Sequence, residues 1–291
     1  MQKGGGGLLD QGILYLIPTP IGNLEDITYR AVRMLGEVDL ILAEDTRQTR
    51  KLLSHYGIHT PMKSMHEHNE EKRTAELLAN LQDGEQWALV SDAGTPLVSD
   101  PGERLVNACI DAGVAVIPLP GANAAVTALI ASGFGGGPFH FHGFLPRKKK
   151  DREEMLEDLG RVQAPVVFYE SPYRLTATIE QLAETWANRE AVVARELTKH
   201  YEEFHRGRLD ELAQIGRENG WRGECCVIVA GASDQELEEN RAHAWWEGMP
   251  VINHVKAYED RGWGRKAALK QCAVDRKMSK NDVYAIYHGL E

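Results

Sequence analysis

Short apolar runs alternate with amphipathic stretches through the first half of the chain. ILYLIP, DLILAE, WALVSD and VAVIPLP read as buried strands, and the segments between them carry helical spacing. Helices are expected over about 28–36, 46–56, 70–81 and 101–112, with Pro101 in a first turn where its missing N–H costs nothing. Strands joined by helices in this order predict a mainly parallel sheet.

The pattern breaks at GFGGGP, residues 133–138, where a domain linker is expected. FHFHGF then reads as a strand leading into a flexible basic segment, RKKKDREE. APVVFYES, EAVVARELT and ECCVIVAG read as strands, EEFHRGRL as an antiparallel one, and 172–186 as a helix, so the second sheet should be mixed. Past Gly231 a polar stretch, SDQELEEN, leads to helices expected at about 265–273 and 279–288, with Ser279 as an N-cap. That tail reads as a helix-turn-helix or as a plain helical hairpin. The expected organisation is a loose tail at 1–12, α/β domains at 13–135 and 136–231, and a helical unit at 232–291.

Length changes the picture only by favouring more than one compact region, since 291 residues exceed the usual size of a single core. Apolar residues at 43% and charged residues at 26% exclude disorder as the default. No apolar run is long enough to span a bilayer and no secretory leader is evident, so a cytoplasmic protein without a membrane partner is expected. Cys109, Cys225, Cys226 and Cys272 have no metal-type spacing and read as buried free thiols. His66 and His68 lack suitably spaced partners, and no metal is expected. A net charge of −10 means that any nucleic acid must be held by local basic patches.

Chemistry is expected where strands run into turns. IPTPIGN lacks the GxGxxG fingerprint and so disfavours a nicotinamide cofactor, and no GxxxxGK[ST] phosphate loop occurs. SDAGTP places Ser91, Asp92, Gly94 and Thr95 beyond an apolar strand, where ligands sit in open α/β sheets. Asp92 and Asp100 bracket that turn; each is a candidate for binding or proton removal, or else a cap of a turn or helix. PGANAA, FYES and ARELT end three further strands in the same way.

LYLIPTPIGNLEDIT, AEDTRQTRKLL, ALVSDAGTPLVSDPG, PLPGANAA, FHGFLPRK, FYESPYRL and ARELTK, in this order, resemble the ribosomal RNA small-subunit methyltransferase I family of the tetrapyrrole methylase superfamily. The resemblance spans about residues 13–231. It implies two α/β domains of the class III methyltransferase type with a cofactor cleft between them, plus the small helical unit. It further implies S-adenosylmethionine as cofactor, a ribose 2′-oxygen of a cytidine in the decoding region of 16S rRNA as acceptor, the small ribosomal subunit as context, and a homodimer. Carried onto this sequence, it implies cofactor contacts from Pro18, Pro20, Gly22, Asp92, Gly94, Thr95, Pro96, Gly121, Asn123, Ala124, Tyr169 and Ala194. Thr95 stands where tetrapyrrole enzymes carry Asp, which weakens a porphyrin-precursor reading.

A ribose hydroxyl is a poor nucleophile until its proton leaves. Asp100, Glu170 and Glu196 are the candidate bases, with Lys199 behind them, while Glu44 and Asp45 are candidates for substrate binding. Arg47, Arg50 and Lys51 on one expected helix, and Arg147, Lys148, Lys149, Lys150 and Arg152 in the basic segment, are the candidate RNA contacts. Two competing readings remain: a methylase of the same superfamily acting on a small molecule or protein side chain, and a ribosome-binding protein without turnover.

Overall fold

The computed structural model describes residues 12–186, 188–242 and 246–289. They form two compact units whose boundary falls between Gly231 and Ala232. The first sheet is assembled from β1 (Ile13–Leu16), α1 (Tyr29–Glu37), β2 (Leu40–Ala43), α2 (Thr46–His55), β3 (Met62–Ser64), α3 (Glu67–Gln82), β4 (Gln86–Val90), α4 (Glu103–Asp111), β5 (Ala115–Pro118) and α5 (Ala124–Ser132). Its strand order is β3-β2-β4-β1-β5, parallel throughout. Alternate residues face opposite sides. Ile13, Tyr15, Ile41, Ala43, Ala88 and Val90 pack with Ala31, Met34, Leu35 and Leu53 of α1 and α2. Leu14, Leu40, Leu42, Trp87 and Leu89 pack with Leu77, Leu81, Leu105 and Cys109 of α3 and α4.

The second sheet follows from β6 (His140–Phe144), α6 (Lys149–Leu159), β7 (Val166–Glu170), α7 (Pro172–Thr185), β8 (Glu190–Arg195), β9 (Glu203–Arg208), α8 (Leu209–Asn219) and β10 (Cys225–Val229). Its order is β6-β7-β10-β8-β9; β6 pairs parallel with β7, and the other pairings are antiparallel. One face buries Val166, Phe168, Val193 and Val227 against Leu156, Ile179, Trp186 and Leu212. The other buries Val167, Val192, Ala194, Cys226 and Ile228 against Ile21 and against Ala125, Ala128 and Leu129 of α5. A helix that follows the first sheet therefore fills the second sheet's core, which fixes the two sheets against each other within one unit. An Ala-rich helix is suited to this because small side chains allow close approach.

Several expectations change. The basic segment is α6, not a flexible linker: Lys149 and Lys150 open it and sit one turn from Glu153 and Glu154, with N–O distances of 3.7 and 3.8 Å. Pro101 lies outside α4, which starts only after Gly102, at φ 125°. No side chain of Gly102 can cap α4, so Glu70 does so from α3, accepting from the Arg104 and Leu105 amides at 2.8 and 3.4 Å. Residues 1–11 of the expected loose tail lie outside the described residues, whereas Gly12 is buried against Leu81 and Glu85. β3 escaped the hydrophobic pattern because it is a three-residue, incompletely buried edge strand.

The second unit contains α9 (Asp234–Ala242), α10 (Val251–Asp260), α11 (Arg265–Asp275) and α12 (Lys280–His288). The polar stretch SDQELEEN thus runs into a helix. Val255, Tyr258, Ala268, Cys272, Ala273 and Val283 form a small core shared by α10, α11 and α12. Ser279 caps α12 by accepting from the Asp282 amide at 3.1 Å.

His254 is fully buried in this unit. Arg276 Nε donates to its Nδ1 at 3.0 Å and its Nε2 lies 3.2 Å from Asp275 Oδ2, an arrangement that suits the neutral imidazole. Burial, partly offset by Asp275 and reinforced by Arg276, pulls its pKa below the ordinary 6.5. An unfolded His254 takes up a proton more readily than the folded one, so its contribution to stability is complete above pH 6.5 and is lost as pH falls below it. Amide hydrogen exchange in 250–289 should accelerate, after correction for intrinsic rates, as pH drops from about 7 to about 5. His254→Gln should flatten that dependence; an unchanged profile in the variant would refute the assignment.

Candidate active site

The IPTPIGN and SDAGTP turns bind each other. Thr19 and Gly94 exchange two backbone hydrogen bonds of 2.9 Å as an isolated antiparallel bridge, and the Thr19 hydroxyl donates to the Ser91 carbonyl at 3.2 Å. Thr95 then donates to the Ala122 carbonyl at 2.9 Å, linking the turn after β4 to the one after β5. The Asn123 side chain accepts from the Val126 amide as the N-cap of α5. The Tyr169 hydroxyl, at the end of β7, accepts from the Ala125 amide at 3.1 Å. Turns from four strands are thereby tied into one wall.

Beside them lies a cavity of about 300 Å³, at the lower end of the range for small-ligand sites. Asp92, Gly94, Thr95, Asn123, Ala124 and Tyr169 from the expected cofactor set line it, as do Asp100 and Glu170. Pro18, Pro20, Gly22, Pro96, Gly121 and Ala194 do not. For several of these the reason is packing. A Cβ on Gly121 would lie 2.5 Å from Pro18 Cβ, and one on Gly22 would lie 2.5 Å from Lys199 Cγ and 2.8 Å from the Thr198 hydroxyl. Ala194 is buried in the core against α5. Pro18, Gly22, Gly121 and Ala194 thus hold the frame on which the wall is built.

Ile21, Val98, Phe144 and Leu197 supply apolar wall that turn chemistry did not single out, and Cys225 and Cys226 complete the floor. Phe144 stacks edge-on with Tyr169 at a centroid distance of 5.7 Å. Its placement at the end of a strand and before LPRK was the available signal. Burial pushes the Cys225 and Cys226 thiols up to about 11 and about 12, and the Tyr169 phenol up to about 12, so none of them supplies an anion near neutrality.

The three carboxylates considered as bases have different surroundings. Asp100 is half-buried on the cavity wall, and its carboxyl is pushed up to about 6, first by burial and then by the charge of Glu44, with a Ser91 hydrogen bond opposing. Glu170 also reaches the wall, but its oxygens are engaged: Oε1 accepts from the Ser171 amide at 2.8 Å, while Oε2 accepts from Thr178 at 2.9 Å and pairs with Arg174 at 3.3 Å. Glu196 lies off the cavity lining and accepts from the Glu224 amide at 2.9 Å and from Lys199 at 3.0 Å, bonds that lower its pKa. Burial lowers the Lys199 pKa, but the bonds to Glu224 and Glu196 together outweigh it, so this amine stays charged.

The segment that carries Asp100 is held in an unusual conformation: Leu97 and Ser99 have φ of 71° and 75°, between Gly94 at 82° and Gly102 at 125°. Non-glycine residues in this region store strain that tends to collect at functional sites. Asp45 and Glu44 lie nearby at the end of β2. The Asp45 carboxylate caps α2 and grips Arg47, whose hydrogen bonds hold its pKa down to about 2. Its backbone N–H donates to Asp92 Oδ1 at 3.0 Å. Burial and the Asp92 charge raise the Glu44 pKa. Neither Glu44 nor Asp45 is on the cavity lining.

The basic candidates also separate. Arg47 is exposed but folded back on Asp45, and Lys51 donates to Gln48 at 3.1 Å. Arg152 is drawn inward, donating to Gln181 at 2.6 Å and toward the Arg147 carbonyl at 3.3 Å. Arg50, Arg147 and Lys148 are exposed and pair with no carboxylate among the described residues. The described residues contain no group of three His, Cys, Asp or Glu side chains able to hold a metal, and no helix long and apolar enough to cross a membrane.

Residues 13–213 match the family model for tetrapyrrole (corrin/porphyrin) methylases. The ribosomal RNA small subunit methyltransferase I of Bacillus subtilis (strain 168) is 50% identical over 97% of this chain and 96% of its own length. The protein of that name from Halalkalibacterium halodurans is 51% identical over 96% of each chain. The chain belongs to the ribosomal RNA small subunit methyltransferase I family. It is accordingly a methyltransferase of the tetrapyrrole methylase type. Among solved structures, a uroporphyrin-III C-methyl transferase from Thermus thermophilus complexed with S-adenyl homocysteine aligns with a TM-score of 0.54 at 19% identity, over 75% of this chain and 97% of that one. At that identity the likeness shows the fold alone.

Proposed function

We propose that the protein transfers a methyl group from S-adenosylmethionine to the ribose 2′-hydroxyl of a cytidine in the decoding region of 16S rRNA, acting in the cytoplasm as a homodimer on the small ribosomal subunit. The observation that carries the chemistry is Asp100, a strained-loop carboxylate on the cavity wall with a pKa of about 6. Relatives named for small-subunit rRNA support the acceptor, and exposed Arg50, Arg147 and Lys148 supply phosphate contacts.

The cavity suits the donor. Apolar Ile21, Val98, Phe144 and Leu197 line it together with the carboxylates Asp92 and Asp100, a combination matched to a ligand with an aromatic base and two cationic groups. Asp92, Gly94, Thr95, Asn123, Ala124 and Tyr169 would hold it. Pro18, Pro20, Gly22, Pro96, Gly121 and Ala194 would support them from behind. When bound, S-adenosylmethionine supplies a methyl group activated on a sulfonium.

Asp100 accepts the 2′-hydroxyl proton as the oxygen becomes nucleophilic. A carboxylate with a pKa of about 6 is largely ionised near neutrality and is a stronger base than an ordinary one. Tyr169 and Thr95 keep the walls rigid, and such positioning contributes several kcal/mol to a bimolecular displacement. Phe144 and Leu197 exclude water from the acceptor oxygen. In the test, small subunits from cells lacking this protein are incubated with enzyme and methyl-tritiated donor, and their nucleosides are then separated. Label in 2′-O-methylcytidine of 16S rRNA is expected; label in protein, in a base, or nowhere would refute the proposal.

A further inference from the structure

Apart from the methyl-transfer site, a groove of about 630 Å³ lies between α11 and α12. Lys266 and Lys270 line it from α11, one turn apart, and Lys280 lines it from the first turn of α12. All three are exposed and pair with no carboxylate among the described residues. Arg265, also on the wall, is committed to Glu259 at 2.9 Å. Residues 246–289 hold eight Lys or Arg against five Asp or Glu, an excess of +3 in a chain whose net charge is −10. Positive charge is therefore concentrated here against the trend of the protein, which favours a polyanion as the occupant.

The far wall of the groove is aromatic. Tyr284 is 50% exposed, and its ring centroid lies 4.3 Å from that of His288, one turn further along α12. Burying these rings in the unit's own core would have been the cheaper arrangement for a structural role, and Tyr258 and Val283 already fill that core. Exposed rings beside a lysine row match an unpaired nucleic-acid strand, with phosphates on the cations and a base against the ring. A duplex hides its base faces and offers such rings little.

We propose that this groove is a second RNA-binding surface, which takes an unpaired stretch of ribosomal RNA through Lys266, Lys270, Lys280 and Tyr284. The choice of RNA rests on the function proposed above, whereas the attraction for a polyanion does not. The full-length protein is titrated into fluorescein-labelled oligouridylate, and separately into a labelled DNA duplex, at several salt concentrations, and anisotropy is read.

With Lys266, Lys270 and Lys280 all changed to Gln, the slope of log K against log salt should become shallower by about 2, since each single-strand phosphate contact contributes about 0.7. The triple change to Arg should keep the slope. Tyr284→Ala should weaken oligouridylate binding about tenfold and leave the slope unchanged. The duplex should bind more weakly and ignore Tyr284. An unaltered slope in the Gln triple variant would overturn the proposal, as would tighter binding of the duplex through the same lysines. If small subunits gain no 2′-O-methylcytidine while oligouridylate binding still depends on the groove, the methylation reading fails and the groove stands.

Discussion

Asp100→Asn is expected to lower kcat by about a hundred- to ten-thousandfold at saturating methyl donor and ribosomal subunit, the range associated with losing a general base. The substitution keeps the side chain's size, so a loss of this order isolates proton acceptance from packing. In the unsubstituted enzyme the rate should fall as pH drops through about 6, because protonated Asp100 can no longer accept a proton. The same carboxyl has a stability signature. Its folded pKa lies above the ordinary 3.8, so the folded state holds the proton more tightly than the unfolded one, and stability declines as pH rises between these two values. At neutral pH the Asn variant should therefore melt higher than the parent while turning over far more slowly, the trade-off expected where a site is strained for function. Single-turnover rates and thermal melts at the same pH check both halves; wild-type kcat in the variant would remove Asp100 from the mechanism.

Glu170→Ala should have the largest effect on stability, a loss of about 3 kcal/mol. Glu170 is 3% exposed, and removing its carboxylate strands the Thr178 hydroxyl and the Ser171 amide and takes from Arg174 its carboxylate partner. Urea unfolding gives that figure directly. Glu170→Gln keeps one acceptor oxygen, enough for the Ser171 amide, places its amide N–H2 against a Thr178 hydroxyl that can turn to accept, and loses the ion pair; it should unfold more easily than the parent yet keep kcat within the same order of magnitude. A Gln variant that folds normally and does not turn over would transfer the base from Asp100 to Glu170.

The two carboxylates look alike along the chain. Both end a strand-to-turn segment, SDAGTPLVSD and FYES, and both reach the same cavity. What separates them is whether neighbours contributed by other elements satisfy the oxygens. Glu170 meets a guanidinium from the first turn of α7 and a hydroxyl from one turn further along it. Asp100 meets low polarity and the like charge of Glu44 from the end of β2. The possibility that Asp100 merely caps α4 is removed by Glu70, which performs that task from α3 across 34 residues of chain.

Every strand position but that of the short edge strand β3, the parallel pairing of the first half, the mixed second sheet, the turns that gather at the strand ends and the family were legible in the residues themselves. These properties are local: an apolar run of four to six residues, a proline or glycine at a strand end and a Ser N-cap act within a turn or two of the chain. The seven ordered motifs add specificity because each one repeats that local logic. The tertiary structure alone decided which turn residues face the cavity and which brace it. Pro18 against Gly121, and Gly22 against Thr198 and Lys199, are close approaches between segments far apart in sequence. It decided that α5 serves the second sheet, that RKKKDREE is the start of a helix with Arg152 turned inward, and that the lysines of α11 face the rings of α12. A pKa, a packed glycine or a shared groove depends on what long-range folding places within a few ångströms, and no local pattern carries that information.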